Sequence, residues 1–597
     1  MKVLFLINDA FGIGGTVKTT FNLGGALAGR GHEIEVLSTE RRRDVPHLTV
    51  PPAIRLMSLT EVRTDHPDHV ADAPGRDRPG RHYPKADFKA STYNAWVEDR
   101  YRQYLAGTDA DVVIATRPGL IAYLARLAPR HLVRIGQEHL VRGQHRAALR
   151  KEMPGHLRRI DAFVTVSRRD AEDYRANVRL GSTRLLHIPN SIPAPSVPPS
   201  HGRAKLIVAA GRLVKSKRYD VLIRAFAKVV AERPDWQLRI YGDGDQKPAL
   251  RALVLELGLH NHVRMMGGYM PIEPEWAKAS IAAVSADKEP FGMTLVEAMR
   301  CGVPVVSTDA PHGPGEILEH GVDGLLTPVG DPDALGDALL RMINDEPLRQ
   351  SMATAALASS TRYDPAPIAG QYEQLFEELA ASKKRRWWSR PGEPLKVLGP
   401  VASAGRPTLD WDGLSPLPAG VRLDGEGDDY RAVREDGTEL QAGLRDTRWL
   451  LEDVPDMRLQ LPYRRPDGTM GVRVTDRSAY AEVGPVQADA DGVRVAGRLI
   501  GPAFSSDAAL VAVSAGETRE FPLEHESATF RAVIPALPVG TWSLHLRLGP
   551  DLVPLAGLRD DIVDKSRAFV LPAATIGGVT LQPAYLADNT FAVHATA

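Results

Sequence analysis

Residues 289–299, with the sequence EPFGMTLVEAM, say more about the fold of this chain than any other segment. They follow the apolar run 281–285 and precede Gly302, so the pattern predicts a buried strand, a short loop and a helix. The free backbone N–H groups and the positive dipole end of such a helix favour a phosphate group. Gly292 lets a ligand approach the backbone closely. The segment therefore predicts a diphosphate site at a strand-to-helix junction.

Two carboxylates frame this helix start. Glu289 lies just before the helix, and Glu297 lies inside it. In that arrangement one carboxylate can accept hydrogen bonds from sugar hydroxyls and the other from ribose hydroxyls. Spacing alone also fits a capping acid at Glu289 and an exposed helix residue at Glu297. The neighbouring segments favour the first interpretation.

Two further loops point to the same edge of one sheet. Arg212 and Lys217 follow one apolar run, and Gly242 and Gly244 follow the next. If these runs are parallel strands, their carboxyl ends meet at one edge, where open α/β sheets bind nucleotides. The two cations can clamp a diphosphate and stabilise it as it leaves. The three loops together predict a nucleotide site.

The chain shows two kinds of periodicity, which change after the second α/β segment. Apolar runs alternate with helical patterns over residues 1–190 and 205–381, which predicts parallel sheets covered by helices. Residues 399–597 show short alternating runs with frequent Gly, Pro and Asp, a pattern typical of an all-β sandwich. The predicted fold is α/β, with two Rossmann-like lobes followed by an all-β, sandwich-like C-terminal region. The predicted domains are 1–195, 196–382, a basic linker 383–398 and 399–597.

The composition and charge of the chain indicate where the protein works and what kind of ligand it binds. Cys301 is the only cysteine, so no intramolecular disulfide forms. No apolar run reaches about 18 residues, and the one after Met1 is too short for a signal peptide. The net charge is 0, but residues 401–597 carry about 19 basic and 28 acidic side chains, which leaves the first 400 residues basic by about nine. We expect a cytoplasmic protein that binds anionic ligands in its first part, without a nucleic-acid partner.

Four motifs in combination resemble a known family. They are the Gly14-Gly15 loop, the Gly-Arg…Lys segment that ends at Lys217, the Gly-x-Gly turn at Gly242, and the acid pair that begins at Glu289. Together they resemble the retaining glycosyltransferases of family four, which have the two-Rossmann GT-B fold. The resemblance covers residues 1–382. It implies transfer of a sugar from a nucleotide sugar in the second lobe to an acceptor in the first.

The resemblance also implies a role for individual residues. Arg212 and Lys217 would bind the donor phosphates, Glu289 the transferred sugar and Glu297 the nucleotide ribose. His139 matches the family's active-site histidine and would hydrogen-bond the donor sugar; a structural histidine at a strand end is the alternative. The other implied donor-binding residues are Gly15, Gly242, Gly244, Phe291, Gly292, Met293, Thr294 and Leu295.

The implied mechanism needs no catalytic base, because the leaving diphosphate accepts the acceptor proton while the protein positions the reactants and stabilises charge. No metal and no cofactor is expected, and the nucleotide sugar is a co-substrate. Asp109-Ala110-Asp111 has the form of a metal-binding Asp-x-Asp, but its place before a strand favours a turn. The histidines of the polar loop 61–90 are expected to be solvated; they are His66, His69 and His82.

Two finer details concern the substrates. Residues 137–140 (QEHL) and 312–318 (HGPGEIL) resemble the branch of poly(glycerol phosphate) glucosyltransferases and related teichoic-acid enzymes. This similarity implies an anionic cell-wall polymer as acceptor, and the family as a whole favours a UDP-sugar donor. Some members carry a β-rich domain inserted in the first lobe and used in assembly. Here the β-rich region follows both lobes, so a homo-oligomer stays an open hypothesis.

Two basic segments have the composition to meet such a polymer or the inner face of an anionic membrane. Arg142, Arg146 and Arg150 recur every four residues and share a face if they lie on one helix. The segment from Lys383 to Arg390 places two tryptophans among five cations, which suits a peripheral membrane anchor. A solvated basic helix, and tryptophans that pack the β-rich region, are the alternatives.

Two other functions compete with glycosyl transfer. Gly12-x-Gly14-Gly15 partly matches a dinucleotide-binding fingerprint of oxidoreductases, but the third glycine is missing at the required spacing. The second alternative is a catalytically degenerate scaffold that binds carbohydrate through its β-rich region. The intact acid pair, with Arg212 and Lys217, argues against degeneracy. Hydrolysis of a donor distinguishes the enzyme from the scaffold.

Overall fold

The computed structural model describes residues 1–383, 395, 397–398, 408–409, 417–426, 429–442, 458–465, 469–476, 479–557, 562 and 564–597. The prediction of two α/β lobes followed by an all-β region is confirmed. Among the helices within these ranges, none is long and apolar enough to cross a membrane.

The N-terminal lobe is built on a seven-stranded parallel sheet with the order β3-β2-β1-β4-β5-β6-β7. Its central strands are buried, as expected for a parallel sheet with helices on both faces. The strands are β1 Lys2–Asp9, β2 Glu33–Arg41, β3 Ile54–Glu61, β4 Val112–Ala115, β5 Val133–Glu138, β6 Ala162–Thr165 and β7 Arg184–His187. The helices are α1 Gly15–Ala28, α2 Ala95–Gly107, α3 Pro118–Leu127, α4 Ala147–Leu157 and α5 Arg168–Asn177, with short 3-10 turns at Ala90–Thr92 and Arg142–Gln144.

The second lobe repeats the plan with a six-stranded parallel sheet of order β10-β9-β8-β11-β12-β13. Its strands are β8 Leu206–Ala210, β9 Gln237–Tyr241, β10 Val263–Gly267, β11 Ile281–Val284, β12 Val305–Thr308 and β13 Gly324–Thr327. Its helices are α6 Tyr219–Glu232, α7 Lys247–Glu256, α8 Glu273–Lys278, α9 Met293–Arg300, α10 Pro314–Ile317, α11 Pro332–Asn344, α12 Glu346–Ser360 and α13 Pro365–Ser382, with 3-10 turns at Lys215–Lys217 and Thr361–Tyr363.

Both sheets share one topological feature that positions ligands. In each of them the chain order reverses between the first and fourth strands of the lobe, β1 and β4 in one and β8 and β11 in the other. Open α/β sheets bind ligands in the crevice outside the carboxyl ends of the strands at such a point. The two lobes therefore each offer a ligand crevice, and the second one lies between the loops after β8 and β11.

The last helix of the second lobe belongs structurally to the first. The sequence pattern places α13 at the end of the second α/β unit, but its apolar face packs on the N-terminal lobe. Tyr372 and Phe376 join the buried cluster formed by α1 and the strands of that lobe. Tyr372 also accepts a hydrogen bond of 2.8 Å from the Gln137 side chain at the end of β5. The helix thus ties the second lobe back to the first.

The linker after α13 continues along the N-terminal lobe where the structure describes it. Lys383 Nζ lies 2.7 Å from Asp161 Oδ2 and donates to the carbonyl groups of Arg130 and Leu132 at 2.9 and 2.8 Å. Leu398 pairs with Ser58 of β3. The proposed membrane anchor from Lys383 to Arg390, with Trp387 and Trp388, lies outside the described residues apart from Lys383 itself.

The described residues of the C-terminal region form strands and one helical turn. The strands β20, β21, β22, β23, β24, β25 and β26 form a closed ring, because β22 pairs with β25 as well as with β23. The core of this ring is apolar, with Trp542, Phe530 and Leu544 buried. The strands are β14 Thr408–Leu409, β15 Val421–Glu426, β16 Asp429–Arg434, β17 Gln441–Ala442, β18 Arg458–Arg464, β19 Met470–Asp476, β20 Tyr480–Asp489, β21 Gly492–Ile500, β22 Ala509–Ser514, β23 Glu517–Glu526, β24 Thr529–Ile534, β25 Gly540–Leu548, β26 Asp551–Ala556, β27 Ala574–Ile576, β28 Val579–Tyr585 and β29 Phe591–Thr596, and the helical turn is α14 Lys565–Ala568.

Candidate active site

The loops after β8 and β9 pack directly on each other. A Cβ atom on Gly242 would lie 1.9 Å from the carbonyl oxygen of Gly211, and one on Gly244 would lie 2.3 Å from that of Leu213. The φ angle of Gly242 is +139°, a backbone conformation that is strained for any residue with a side chain. These glycines therefore allow a close approach of backbone to backbone. The sequence predicts an approach of ligand to backbone at the same turn, and the packing of the two loops is an additional reason for glycine there.

Two of the predicted site residues form an ion pair beside the α9 helix. Lys217 Nζ donates to Glu289 Oε2, and the Glu289 side chain is 9% exposed. The main chain of Glu289 is fixed by the loop after β12, because its carbonyl accepts a hydrogen bond of 3.0 Å from Gly313 N. Arg212 is exposed at the same edge and pairs with no residue that the structure describes. A cation and a carboxylate are thus held together, with a second cation nearby.

The helix predicted from residues 289–299 begins at Met293, and Gly292 is its N-cap residue. Gly292 has φ +109°, and a Cβ atom there would lie 2.6 Å from the Leu295 side chain. Phe291 and Leu295 are buried and anchor the turn, whereas Met293 and Thr294 are half-exposed. No side chain in the described part of the chain caps the start of α9. Its first backbone N–H groups therefore face the crevice as donors for an anion.

Glu297 has a partner that comes from the other lobe. Lys18 Nζ of α1 lies 2.8 Å from Glu297 Oε1 and 2.8 Å from Glu273 Oε1 of α8. Burial would lower the pKa of Lys18, but the two carboxylates outweigh it and hold that pKa above its usual value. Burial raises the pKa of Glu297. Sequence reasoning missed Lys18, because no local pattern shows that α1 reaches across to α9.

The first turn of α1 meets the first turn of α9 at two more places. A Cβ atom on Gly15 would lie 3.9 Å from Met293 Cγ, and Thr19 Oγ1 lies 3.6 Å from Met293 Sδ. The predicted Gly15 loop and the predicted diphosphate segment are therefore brought face to face. The N-terminal ends of α1 and α9 therefore lie close together, and their positive dipole ends favour a negative charge there.

His139 lies at the end of β5 above a buried polar cluster. Its Nε2 atom is 3.3 Å from Gln137 Oε1, and burial lowers the pKa of its imidazole to about 4. Beneath it, Glu138 accepts hydrogen bonds from His145 Nε2 at 2.7 Å and from the Tyr174 hydroxyl at 3.0 Å. His139 is therefore neutral at physiological pH and can hydrogen-bond a polar ligand without carrying a charge.

Asp170 completes that cluster. Its Oδ1 atom accepts a hydrogen bond of 2.9 Å from Arg142 N, and Oδ2 is buried without a partner among the described residues. Burial, together with the charge of Glu138, raises the pKa of Asp170 to about 8. The side chain thus carries a proton at neutral pH.

A pocket of about 160 Å³, open to solvent, extends between the lobes beside Phe291. The first lobe contributes Arg168 and His187 to its wall, and the second contributes Glu316. The Glu316 carboxylate accepts hydrogen bonds of 2.8 Å from the backbone N–H groups of Arg168 and Arg169 at the start of α5. The pocket is therefore lined by both lobes and adjoins the Glu289 segment.

The basic face proposed for Arg142, Arg146 and Arg150 is wrong. Arg142 lies in a 3-10 turn and pairs with Asp173 at 3.1 Å. The chain is extended at His145 and Arg146, and α4 begins only at Ala147, so the spacing of four does not run along one helix. Arg146, Arg150 and Lys151 are exposed.

The other polar candidates have structural partners. Asp109 Oδ1 lies 2.7 Å from Lys2 Nζ, and Asp111 Oδ2 accepts from Lys2 N at 2.9 Å, so this Asp-x-Asp fixes the start of β1. In the loop 61–90, His82 Nδ1 lies 2.7 Å from Glu98 Oε1, and His66 and His69 are only partly exposed. Tyr83 of this loop is buried and stacks on Tyr93, with ring centres 3.9 Å apart. The loop is anchored rather than fully solvated.

Within the described ranges, no group of three or more His, Cys, Asp or Glu side chains could hold a metal ion.

Two family models match the lobes. The model described as Glycosyltransferase Family 4 matches residues 13–196, and the model described as Glycosyl transferases group 1 matches residues 195–358. The boundary between the matches lies close to the predicted division of the lobes at 195/196. The first match contains Lys18 and His139, and the second contains the Lys217–Glu289 pair and Glu297.

Curated relatives share part of this chain. An exopolysaccharide phosphotransferase of Streptomyces coelicolor is 36% identical over 398 residues, which are 64% of this chain and 41% of that protein. N-acetyl-alpha-D-glucosaminyl L-malate synthase of Bacillus anthracis is 30% identical over 181 residues, which are 30% of this chain and 47% of that protein. The chain therefore spans less than half the length of either relative.

Solved structures share the fold at low identity. A mutant of S. aureus TarM, in complex with fondaparinux, alpha-GlcNAc-glycerol and UDP, superposes with a TM-score of 0.53 at 14% identity, covering 63% of this chain and 100% of that one. Sucrose-phosphate synthase from Thermosynechococcus elongatus gives 0.52 at 18% identity, covering 64% and 100%. Taken with the two reversed sheets, these structures show that the two lobes have the GT-B fold, and the two glycosyltransferase family models together match residues 13–358 of this chain.

Proposed function

We propose that this protein is a retaining glycosyltransferase that moves a hexosyl group from a UDP-sugar to an acceptor hydroxyl. The observation that carries the proposal is the uncapped start of α9, flanked by the Lys217–Glu289 pair and by Glu297, and facing Gly15 of the other lobe. Backbone N–H groups, a lysine and two carboxylates at one strand edge offer a diphosphate and a sugar their complementary groups.

The donor is held by the second lobe in this proposal. Its diphosphate lies at the start of α9, where Lys217 and the exposed Arg212 neutralise it. Glu289 accepts hydrogen bonds from the sugar, and Glu297 accepts them from the ribose. Lys217 then exchanges part of its contact with Glu289 for the phosphate oxygens. Positive charge is thereby concentrated where the leaving group develops its negative charge.

The acceptor proton goes to the leaving diphosphate. No described side chain at the gap is placed to be a strong base. Desolvation in its half-buried position lowers the pKa of His139 to about 4, and both site carboxylates are engaged with lysines. Bond formation between the acceptor oxygen and the anomeric carbon, and departure of the diphosphate, then take place on the same face of the sugar. The protein contributes position and charge, and the configuration at the anomeric carbon is retained.

For the acceptor we propose a hydroxyl on an anionic cell-wall polymer of the teichoic-acid type. The interlobe pocket carries Arg168 on its N-terminal wall, and Arg146, Arg150 and Lys151 are exposed on the same lobe. Such cations favour a polymer of phosphates. A mutant of S. aureus TarM in complex with alpha-GlcNAc-glycerol and UDP has a related fold, which supports a glycerol-containing polymer as the first acceptor to test.

A nucleotide-release screen tests the proposal. The purified chain is incubated with UDP-glucose, UDP-N-acetylglucosamine, UDP-galactose and GDP-mannose, each with and without poly(glycerol phosphate). Glu297→Ala is the site variant, and Glu377→Ala, at an exposed position of α13, is the matched control. We expect one UDP-sugar to release nucleotide, faster with polymer, in the wild type and the control only. The product's anomeric configuration, read by NMR, reports retention.

The outcomes separate the parts of the proposal. Nucleotide release that does not increase with polymer would reject the proposed acceptor but not the proposed donor. A product with the opposite anomeric configuration would reject retention. No release from any donor, together with no binding of any nucleotide, would reject the enzyme and favour a scaffold that acts through the β-rich region.

A further inference from the structure

One segment of the β-rich region is built into the nucleotide lobe. Val570, just after α14, belongs to the buried core cluster of that lobe. Arg251 of α7 donates to the carbonyl groups of Arg567 and Phe569, each at 3.0 Å. Arg264 of β10 lies over the Phe569 ring at 4.0 Å from its centre. The segment 564–570 is therefore packed on the lobe rather than merely connected to it.

A second contact also attaches the β-rich region to the nucleotide lobe. The carbonyl oxygen of Val486 accepts hydrogen bonds from His260 Nε2 at 2.8 Å and from Asn261 Nδ2 at 3.1 Å. Asn261 Oδ1 in turn accepts from Val486 N at 3.1 Å. This site lies on β20, far along the chain from α14. The β-rich region is therefore attached to the nucleotide lobe at two separate points.

The side chain of Arg567 reaches the carboxyl edge of the sheet. Its Nη2 atom lies 2.8 Å from Asp243 Oδ2, in the middle of the Gly242–Gly244 turn. The same guanidinium group covers Gly267 at the end of β10, where a Cβ atom would lie 3.0 Å from Arg567 Nε. The β-rich region thus places a cation on the loop that the sequence predicts to bind the donor.

Asp243 is the point where three loops of the nucleotide site meet. Its Oδ2 atom also accepts a hydrogen bond of 2.7 Å from Gly268 N, after β10. Its carbonyl oxygen accepts one of 3.0 Å from Leu213 N, after β8. Lys247 Nζ lies 3.1 Å from Asp243 Oδ1. The position of this one residue therefore affects the loops after β8, β9 and β10 together.

We propose that the β-rich region completes the donor site, and that Arg567 is a positioning residue that acts through Asp243 on these three loops. The inference rests on the proposed function, because it concerns the affinity of the same site for a nucleotide. Neighbouring strands lie about 4.8 Å apart, so the Asp243 loop lies about 10 Å along the sheet edge from the loop that leads into α9. A nucleotide whose diphosphate sits at α9 extends its nucleoside along this edge. Arg567 therefore stabilises the nucleoside end of the site.

The test uses the full-length protein and UDP as the probe. Arg567→Ala and Arg567→Lys are compared with Arg494→Ala, a similarly exposed arginine whose ion pairs, with Asp489 and Asp491, lie within the β-rich region. UDP affinity is measured by calorimetry, and KM for the donor and kcat by nucleotide release. For Arg567→Ala we expect Kd and donor KM to rise about three- to fivefold with kcat unchanged, because the pair is half-exposed. Arg567→Lys recovers part of the affinity, and Arg494→Ala equals the wild type.

A double-mutant cycle with Asp243→Asn shows whether Arg567 acts through Asp243. If it does, Arg567→Ala costs no further affinity in the Asp243→Asn background. Wild-type UDP affinity in Arg567→Ala, or fully additive losses in the double variant, would overturn the inference while leaving the proposed function intact. A wild-type protein that binds no nucleotide would instead reject the proposed function itself. A melting temperature equal to that of the wild type shows that each variant is folded.

Discussion

The ammonium group of Lys18 lies 2.8 Å from the carboxylate of Glu297, and the two residues belong to different lobes. The same ammonium group lies 2.8 Å from Glu273. One lysine therefore separates two carboxylates that would otherwise face each other in a largely buried position. The contact also joins the lobes at the point where the proposed ribose contact lies. Binding of a donor must share or replace the Lys18 contact at Glu297.

Replacing Lys18 tests this arrangement through stability. Lys18→Met keeps the length of the side chain but leaves Glu297 and Glu273 without their cation. We expect the free energy of unfolding of the ligand-free protein to fall by about 3 kcal/mol, because breaking a buried ion pair leaves uncompensated charge. The loss is measured as a fall in the apparent Tm. Adding Glu273→Gln removes one of the two carboxylate charges and restores part of the Tm. An unchanged Tm in Lys18→Met, or no recovery in the double variant, would contradict this account.

Lys217 gives a prediction for affinity. Lys217→Ala removes the partner of Glu289 and one of the two cations proposed for the diphosphate. We expect Kd for UDP to rise roughly tenfold to a hundredfold, the effect of a lost hydrogen bond to a charged group. Lys215→Ala, two residues earlier and exposed, is the matched control and stays within about twofold of the wild type. Equal affinities in both variants would place the diphosphate elsewhere.

Gly242 gives a prediction for folding of the loop pair. In Gly242→Ala the new Cβ atom would meet the Gly211 carbonyl oxygen at 1.9 Å, and φ is +139°. The loops must separate, so we expect the free energy of unfolding to fall by several kcal/mol, which is measured as a lower Tm. Gly143→Ala is the control, since no atom of the described residues lies within 4 Å of its Cβ position. If both variants melt alike, the two loops are not packed as described.

Asp170 gives a prediction for pH. An unfolded aspartate has a pKa near 3.9, and burial beside Glu138 raises the folded value to about 8. Between these values the folded state holds a proton that the unfolded state has released, so this residue makes stability fall as pH rises from about 4 to 8. Asp170→Asn keeps the acceptor for Arg142 N and removes the titration. We therefore expect its Tm to exceed that of the wild type by more at pH 8 than at pH 5.

The comparison is made by thermal unfolding at both pH values. A Tm difference that is the same at pH 5 and pH 8 would show that Asp170 does not titrate in this range. Asp173→Asn, at a half-exposed carboxylate that pairs with Arg142, is a control in the same helix.

Much of the fold follows from local patterns. The helix of residues 289–299 and the strands before it are predicted, because buried parallel strands are apolar runs and glycines mark their ends. The strands Ile54–Glu61, Arg184–His187 and Gly324–Thr327 are missed. They are edge strands or carry polar residues, so their sequences do not stand out from the loops around them.

The rest of the site depends on contacts that are distant in sequence. Lys18 and Glu297 are 279 positions apart, and Arg567 and Asp243 are 324 apart. No periodicity within either segment reveals these pairs. The arginine face at Arg142 failed for a related reason: a spacing of four indicates a helix face only where the chain is helical throughout, and it is extended at His145. Local sequence predicts the elements, whereas tertiary packing decides which of their side chains meet.

A crystal structure with UDP bound tests the central claim most directly. The account predicts the diphosphate at the start of α9 between Lys217 and Gly15, a ribose hydroxyl within hydrogen-bond distance of Glu297, and a Lys18 contact at Glu297 that is shared or replaced. UDP bound at the β1/β4 crevice of the other lobe, or bound with both Lys217 and Glu297 out of contact, would contradict it.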